Sequence, residues 1–278
     1  MGSSGKSKTG ATGTMTLQAQ AQGGAGDIQD EDQPQIVATA QQAQSANNAN
    51  FPDTDDQDYR DYAGRLRDYY QDQTFAIDTR MAIQDYLYDQ PVDGTLYSPS
   101  QLMNYKLKYG NDAQLTPQEQ FMRDSLMEGM HNLGSNMILE HYGRDSYIDK
   151  LGQLAKAAGL TSMTINKGNF DGMSESQLKQ ALVGTEFSER AFLSTSVNHF
   201  SHAPSGNPFT DKVVKFTIKA PAGAQGLMPG NGPGGALGEM ILAPNQNYRV
   251  TDVKLTGKPG RSGSKSYKNQ IEFVVEMF

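Results

Sequence analysis

The chain has 278 residues with 36% hydrophobic side chains, enough for one folded unit with appendages. Its formal net charge of −7 and pI near 5.1 exclude a general attraction to nucleic-acid backbones. The absence of cysteine excludes disulfides, a thiolate nucleophile and thiolate metal ligands. No apolar stretch has the length that a bilayer requires, and the N-terminus lacks the pattern of a secretory signal. We therefore expect a cytosolic product with neither nucleic acid nor membrane as a partner.

Residues 1–52 form a segment of low complexity. They are dominated by Gly, Ala, Gln, Ser, Thr and Asn, with almost no aromatic or branched apolar side chains. Because such a composition cannot offset the entropy of ordering, we predict a flexible tail, or an arm that orders on a partner.

Residues 53–136 show the spacing of amphipathic helices, with tyrosine, leucine and methionine recurring three and four residues apart. Ser98 and Thr116 each precede a proline, the arrangement of an N-cap followed by the first helical turn. A further helix is predicted from Ser146 to Ala158, ended by a glycine.

The apolar pattern changes to a period of two after about residue 161. Residues 213–218 alternate apolar and polar side chains, which predicts a half-buried strand. Residues 248–255 and 271–278 are predicted strands as well. A helical first part followed by a strand-rich second part favours the α+β class.

The most informative motif is a Phe-Leu-Ser-Thr-Ser segment that ends at Ser196. In an extended strand, Ser194 and Ser196 share one face with Phe192, whereas Thr195 lies on the other face. Two hydroxyl groups therefore line one surface. Such a tripeptide alone is common in ordinary strands, so its surroundings decide how it is interpreted.

Three segments around this motif occur in the order typical of mono-ADP-ribosyltransferases. They are a short helix and turn in residues 173–187, a strand and Pro-x-Gly turn in residues 216–226, and a strand in residues 239–250 that begins with Glu239. Residues 137–278 therefore resemble a domain of this family. With the Gln- and Ala-rich arm, the motifs are most similar to domains associated with bacteriophage head proteins.

The resemblance implies a split β-sandwich that binds NAD. The helical part is expected to pack on this sandwich, and the tail precedes both in the sequence. It implies NAD as a co-substrate, no metal, and Glu239 as the catalytic carboxylate that stabilises positive charge developing on the ribose. Ser194 is implied to orient that carboxylate, Thr195 to support the strand from behind, and Ser196 to shape the NAD cleft.

The arginine with which this family grips NAD has no clear counterpart here. One register places His141 in the arginine position, with Arg144 close behind and able to reach the phosphates. A second register places Lys167 there. We favour the first register because the spacing to the next helix fits better, and the three residues stay open as alternatives.

Leu237 lies two residues before Glu239, in the place of the family's acceptor-contacting glutamate or glutamine. An aliphatic side chain can neither bind a guanidinium nor hydrogen-bond an amide. The sequence therefore predicts another acceptor side chain, simple hydrolysis of NAD, or a retained fold with little activity. His199 and His202 lack a nearby cysteine or an arranged carboxylate, so we assign no metal to them.

The primary hypothesis is a NAD-dependent ADP-ribosyltransferase that modifies a protein acceptor in a bacterial host. The resemblance to phage domains implies a location in the virion or the host cytoplasm, with the tail binding other virion proteins. The alternative is a weak or inactive transferase fold that serves as a structural or cargo protein of a virion. An assembly interface in the acidic, tyrosine-rich residues 53–88 is compatible with both.

Overall fold

The computed structural model describes residues 75–87, 97–110, 112–197, 211–229 and 239–278. The helices are α1 (Ile77–Leu87), α2 (Pro99–Lys108), α3 (Pro117–Glu128), α4 (Ser146–Ala157) and α5 (Glu175–Leu182), with short 3-10 turns at Asp112–Gln114 and Phe170–Gly172. The strands are β1 (His131–Asn132), β2 (Met137–Gly143), β3 (Glu186–Glu189), β4 (Leu193–Ser196), β5 (Val214–Ala220), β6 (Gln225–Leu227), β7 (Glu239–Leu242), β8 (Gln246–Leu255), β9 (Gly260–Ser262), β10 (Lys265–Tyr267) and β11 (Ile271–Met277). The predicted tail, residues 1–52, lies outside the described residues, as do residues 53–74 of the predicted helical region.

Nine of these strands form one curled sheet in the order β1-β6-β7-β4-β2-β5-β11-β8-β3, and β9 and β10 form a separate pair. Neighbouring strands are antiparallel except for β5 and β11. Strands β2 and β4 are joined by a single residue pair, Glu140 with Ser196. The sheet therefore has a short arm (β1, β6, β7, β4) and a long arm (β2, β5, β11, β8, β3) that meet at this junction. A mixed helix and strand fold with a curled sheet confirms the predicted α+β class.

Two apolar clusters hold the helices on the sheet. The main cluster lies between the sheet and helices α4 and α5, where Ile148, Leu151 and Leu178 are fully buried. In a second cluster, helices α1 to α3 pack on side chains of the short arm, including Phe192 and Ile241. The short arm is therefore covered by the first three helices, which bring their side chains close to β4 and β7.

The helix starts follow the local signals in the sequence. Ser98 and Thr116 both form capping boxes, in which the hydroxyl accepts from a backbone N–H and a side chain of the first turn accepts in return. Helix α4 ends at Ala157, and Gly159 follows with φ of +72°, in the left-handed region that glycine tolerates. These predicted boundaries are confirmed.

The predicted strands are confirmed as β5, β8 and β11, with ends shifted by one or two residues. Strand β1 pairs with β6, so the sheet begins before residue 137. None of the helices that the structure describes is long and apolar enough to cross a membrane.

Candidate active site

The pairing of β4 with β7 positions the predicted site residues. Ser196 is the register partner of Glu239, and Ser194 that of Ile241. Phe192 belongs to the cluster under helices α1 to α3, whereas Leu193 belongs to the main core. The two faces of β4 thus alternate as the sequence indicated, and the hydroxyl of Ser194 lies on the face that the first helices cover.

Glu239 is the first residue of β7 and is half-buried. Burial raises the pKa of the Glu239 carboxyl, and a hydrogen bond with the Ser194 side chain acts in the opposite direction. The structure thus brings together the two residues that the sequence singled out as catalytic. In a site with little water, a carboxylate interacts more strongly with a nearby positive charge than it would in solvent.

Thr195 and Ser196 belong to the β4 residues that pair with β7, Thr195 with Met240 and Ser196 with Glu239. The Thr195 hydroxyl donates to the Met240 carbonyl at 2.8 Å and joins β4 to β7 from the core side. Ser196 is only 2% exposed and stands at the junction, with Glu239 as its partner on one side and Glu140 on the other. Both residues therefore fix the shape of the strand that carries Ser194.

Tyr86 of α1 and Asn104 of α2 also reach this site, although no motif in the sequence pointed to either. The hydroxyl of Tyr86 lies 3.2 Å from Ser194 Oγ. Asn104 Nδ2 donates to the Tyr86 hydroxyl at 3.1 Å, and Asn104 Oδ1 accepts from the Phe192 backbone N–H at 3.2 Å. The spacing of apolar residues predicts the helices α1 and α2 but does not indicate which of their polar residues contacts a distant strand. The sequence alone therefore could not identify these two residues.

His141 of β2 lies directly beside Ser194. Its Nδ1 is 2.8 Å from the Ser194 carbonyl oxygen, and its ring contacts the rings of Tyr147 and Phe216. Burial lowers the pKa of His141. The Ser194 carbonyl and Glu189 act in the opposite direction but are outweighed, so the ring is neutral at neutral pH. Because a carbonyl oxygen only accepts, Nδ1 carries the proton and Nε2 is left as an acceptor.

The other two candidates for the arginine role lie elsewhere. Arg144 is exposed in the turn between β2 and α4. Lys167 is paired with Asp149 of α4 at 3.3 Å, and its backbone N–H also donates to Asp149. Of the three alternatives, the structure brings His141 to the Ser-Thr-Ser strand and leaves Arg144 just beyond the end of the adjacent strand.

Two lysines that the sequence analysis did not single out lie near His141. Lys108 Nζ lies 4.5 Å from the centre of the Tyr147 ring, and its charge opposes protonation of His141. Lys150 Nζ lies 3.8 Å from Glu189 and donates to the Ser188 carbonyl at 2.9 Å. Burial lowers the pKa of Lys150. Positive charge is thus present around His141 although no arginine occupies its position.

Leu237 lies outside the described residues, and so do His199 and His202, to which we assigned no metal. Within the part of the chain that the structure describes, no group of three or more His, Asp or Glu side chains is arranged to hold a metal ion.

Neither a protein-family sequence profile nor a curated protein sequence matches the chain. Solved structures do match. Plx2a, an ADP-ribosyltransferase toxin from Paenibacillus larvae, is 16% identical with a TM-score of 0.51, over 80% of this chain and 95% of that chain. An ADP-ribosyltransferase from Clostridium botulinum is 18% identical with a TM-score of 0.53, over 82% and 99%. A protein from S. aureus, solved with NAD, is 15% identical with a TM-score of 0.51, over 80% and 94%. The chain therefore shares its fold with ADP-ribosyltransferase toxins.

Proposed function

We propose that this chain is a NAD-dependent mono-ADP-ribosyltransferase that modifies a protein acceptor. The observation that carries the proposal is the placement of Ser194 and half-buried Glu239 on the paired strands β4 and β7, where the Ser194 side chain lowers the pKa of the Glu239 carboxyl. The shared fold supports it, since one of the similar structures was solved with NAD. Fold alone does not establish an activity, so the proposal depends on these two side chains.

In the proposed reaction the bond between the nicotinamide nitrogen and ribose C1′ breaks, and neutral nicotinamide leaves. An acceptor side chain forms the new bond at C1′ and releases its proton. Positive charge develops on the ribose before the new bond forms, and the carboxylate of Glu239 stabilises it more in the transition state than in the ground state. Glu239 must be ionised for this role, so activity is expected to fall on the acidic side.

Ser194 holds the Glu239 carboxylate in place. Thr195 and Ser196 keep β4, the strand that carries Ser194, in register with β7. A neutral His141 with its proton on Nδ1 presents no donor at Nε2, so it cannot replace a guanidinium at the NAD pyrophosphate. In this proposal the exposed Arg144 makes the phosphate contact. His141 supports the backbone of Ser194.

The proposed biological setting is a phage that infects a bacterial host. A protein acceptor in a bacterial host, delivery from a phage virion, and binding of the tail to other virion proteins are supported by the sequence resemblance and by the composition of residues 1–52. Leu237 cannot make the family's usual contacts to arginine or asparagine, so we expect a different acceptor side chain.

One observation favours the alternative of a structural or cargo protein with little activity. His141, which the favoured register aligns with the family's arginine, packs against the aromatic rings of Tyr147 and Phe216, an environment that suits a core residue. The same experiment decides between the two functions.

The experiment is turnover of labelled NAD by the purified protein, alone and with bacterial lysate. Glu239→Ala is compared with Glu128→Ala, which removes an exposed carboxyl at the end of α3. We expect transfer of label to protein that falls roughly 100-fold or more in Glu239→Ala and is unchanged in Glu128→Ala. Release of nicotinamide without labelled protein would indicate a hydrolase. No turnover and no binding of NAD would support the structural alternative.

A further inference from the structure

A chain of partly buried polar groups connects the first two helices to the candidate catalytic carboxyl. It runs from the Phe192 backbone N–H to Asn104, from Asn104 to Tyr86, and from Tyr86 to Ser194, with contacts of 3.2, 3.1 and 3.2 Å. The Ser194 side chain in turn stands beside the Glu239 carboxyl and lowers its pKa. Asn104, Tyr86 and Ser194 are thus each held by the preceding group.

The direction of the first two hydrogen bonds follows from the backbone N–H of Phe192. A backbone N–H only donates, so the atom of Asn104 that faces Phe192 must be the amide oxygen. The amide nitrogen of Asn104 then faces Tyr86, and the Tyr86 oxygen accepts its proton. The hydroxyl hydrogen of Tyr86 is consequently free to point at Ser194 Oγ.

Tyr86 keeps its hydrogen under all ordinary conditions. Burial raises the pKa of Tyr86 to about 12, and the charge of Glu239 acts in the same direction. The Tyr86 ring is 6% exposed and meets Phe192 edge-on at 6.0 Å, so the hydroxyl has little freedom to turn away. The Tyr86 oxygen could also accept from Ser194, but an ionised Glu239 carboxylate only accepts and so takes the Ser194 hydrogen, which leaves Ser194 Oγ to accept from Tyr86.

We propose that Tyr86 and Asn104 are positioning residues, which fix the Ser194 hydroxyl as a donor and so hold the Glu239 carboxylate in one orientation. This inference rests on the proposed function and adds two residues from helices outside the strand motif. The chain of bonds has a single direction, and such chains strengthen their members by mutual polarisation. The covering helices would then contribute to the chemistry itself, through a contact that leaves the substrate untouched.

Tyr86→Phe tests the proposal because it removes one hydroxyl and keeps the ring that packs on Phe192. Asn104→Asp is a second test, since a carboxylate at that position accepts from both sides and draws the Tyr86 hydrogen away from Ser194. Tyr105→Phe is the matched control, because it removes the same atom from a tyrosine of α2 that is 62% exposed. Thermal melting of each variant verifies that it is folded.

We expect Tyr86→Phe to lower kcat by roughly tenfold, the factor that corresponds to one hydrogen bond, with little change in the KM for NAD. The acidic limb of the pH profile should move to higher pH, because Ser194 then stabilises ionised Glu239 less well. Asn104→Asp should act in the same direction, and Tyr105→Phe should match the parent chain. An unchanged kcat and an unchanged acidic limb in both Tyr86→Phe and Asn104→Asp would overturn the proposal.

A double mutant separates action through Ser194 from direct contact with NAD. In a Ser194→Ala background, Tyr86→Phe should cause no further loss, because the link that it acts through is already gone. A further loss of the same factor would overturn the positioning role.

A titration of labelled glutamate carboxyls by NMR, without NAD, keeps this inference distinct from the proposed function. The signal that disappears in Glu239→Gln identifies Glu239. A rise in its pKa in Tyr86→Phe would support the positioning role even if the parent chain does not turn over NAD. An unchanged Glu239 titration in an active enzyme would overturn the positioning role and leave the proposed function standing.

Discussion

Replacing Lys215 with methionine is expected to destabilise the junction between the two arms of the sheet. Lys215 Nζ lies 2.8 Å from Glu140 and 3.5 Å from Glu272. Glu140 is 2% exposed and is the residue of β2 that pairs with Ser196 of β4. Methionine preserves the apolar stem and removes the charge, so buried Glu140 would lose the ammonium group of Lys215.

The magnitude follows from the burial of the pair. Removing one partner of a buried ion pair costs about 3–5 kcal/mol, and we take the lower end, about 3 kcal/mol. The Lys215 side chain keeps 16% exposure, and the Tyr142 hydroxyl still donates to Glu140 at 3.2 Å. At roughly 2–4 °C per kcal/mol for a domain of this size, the melting temperature should fall by ~6–12 °C.

The pH dependence has a definite sign. Burial alone would lower the pKa of Lys215, but Glu140 and Glu272 outweigh it and raise the pKa above the usual lysine value. A raised pKa in the folded state means that the contribution is present at neutral pH and is lost only as the pH rises through the folded value, in the alkaline range. In Lys215→Met the loss of stability should be smaller at low pH, where the carboxyl of Glu140 takes up a proton.

Calorimetric melting of Lys215→Met beside Lys219→Met measures the effect. Lys219 lies on the same strand and pairs with Glu276 at 3.1 Å, but the two side chains are 32% and 43% exposed, so its loss should cost less than about 1 kcal/mol. Adding Glu140→Gln to Lys215→Met should restore most of the stability. Equal losses in the two lysine variants, or no recovery in the double mutant, would refute the reasoning.

Three further outcomes are expected. Burial raises the pKa of Glu239, so the charge of Glu239 lowers the stability of the fold at pH values above the usual glutamate pKa. Glu239→Gln should therefore raise the melting temperature at neutral pH but not at low pH, and a decrease at neutral pH would contradict this. Gly152→Ala should cost about 1–3 kcal/mol in urea unfolding, because a Cβ there would lie 2.0 Å from the Ile165 carbonyl oxygen, whereas Gly172→Ala meets nothing within 4 Å and should be neutral. Arg144→Ala should raise the KM for NAD roughly tenfold with kcat little changed, and an unaltered KM in steady-state kinetics would remove Arg144 from the phosphate site.

The parts of the fold that the sequence predicted are those that local chemistry decides. A serine or threonine before a proline specifies a helix start through neighbouring backbone groups, and the capping boxes at Ser98 and Thr116 need nothing from the rest of the chain. Strand alternation is local as well, and it placed Ser194 on the correct face. The curled sheet with its single-pair junction depends on which strands meet in space, and here the prediction came from resemblance.

The parts of the site that the sequence could not predict depend on distant contacts. Tyr86 and Ser194 are separated by 108 positions, and their contact exists because α1 packs over the short arm of the sheet. The tautomer of His141 is decided in the same way, by a carbonyl oxygen 53 positions along the chain. A motif identifies the strand that carries the candidate catalytic groups, whereas tertiary packing determines which residues contact them.

The junction between the arms also separates two carboxyls that would otherwise oppose each other. Ser196 has Glu140 as its partner on one side and Glu239 on the other, so the two carboxyls stand on strands about 10 Å apart across a single residue. Lys215 neutralises Glu140, and the groups that shift the pKa of Glu239 are burial and Ser194. While Glu140 is held in this ion pair, its charge is not among the influences on the Glu239 carboxyl. Lys215→Met releases that charge, so we expect the variant to raise the pKa of Glu239 as well as lower stability, and the acidic limb of any NAD turnover to move to higher pH.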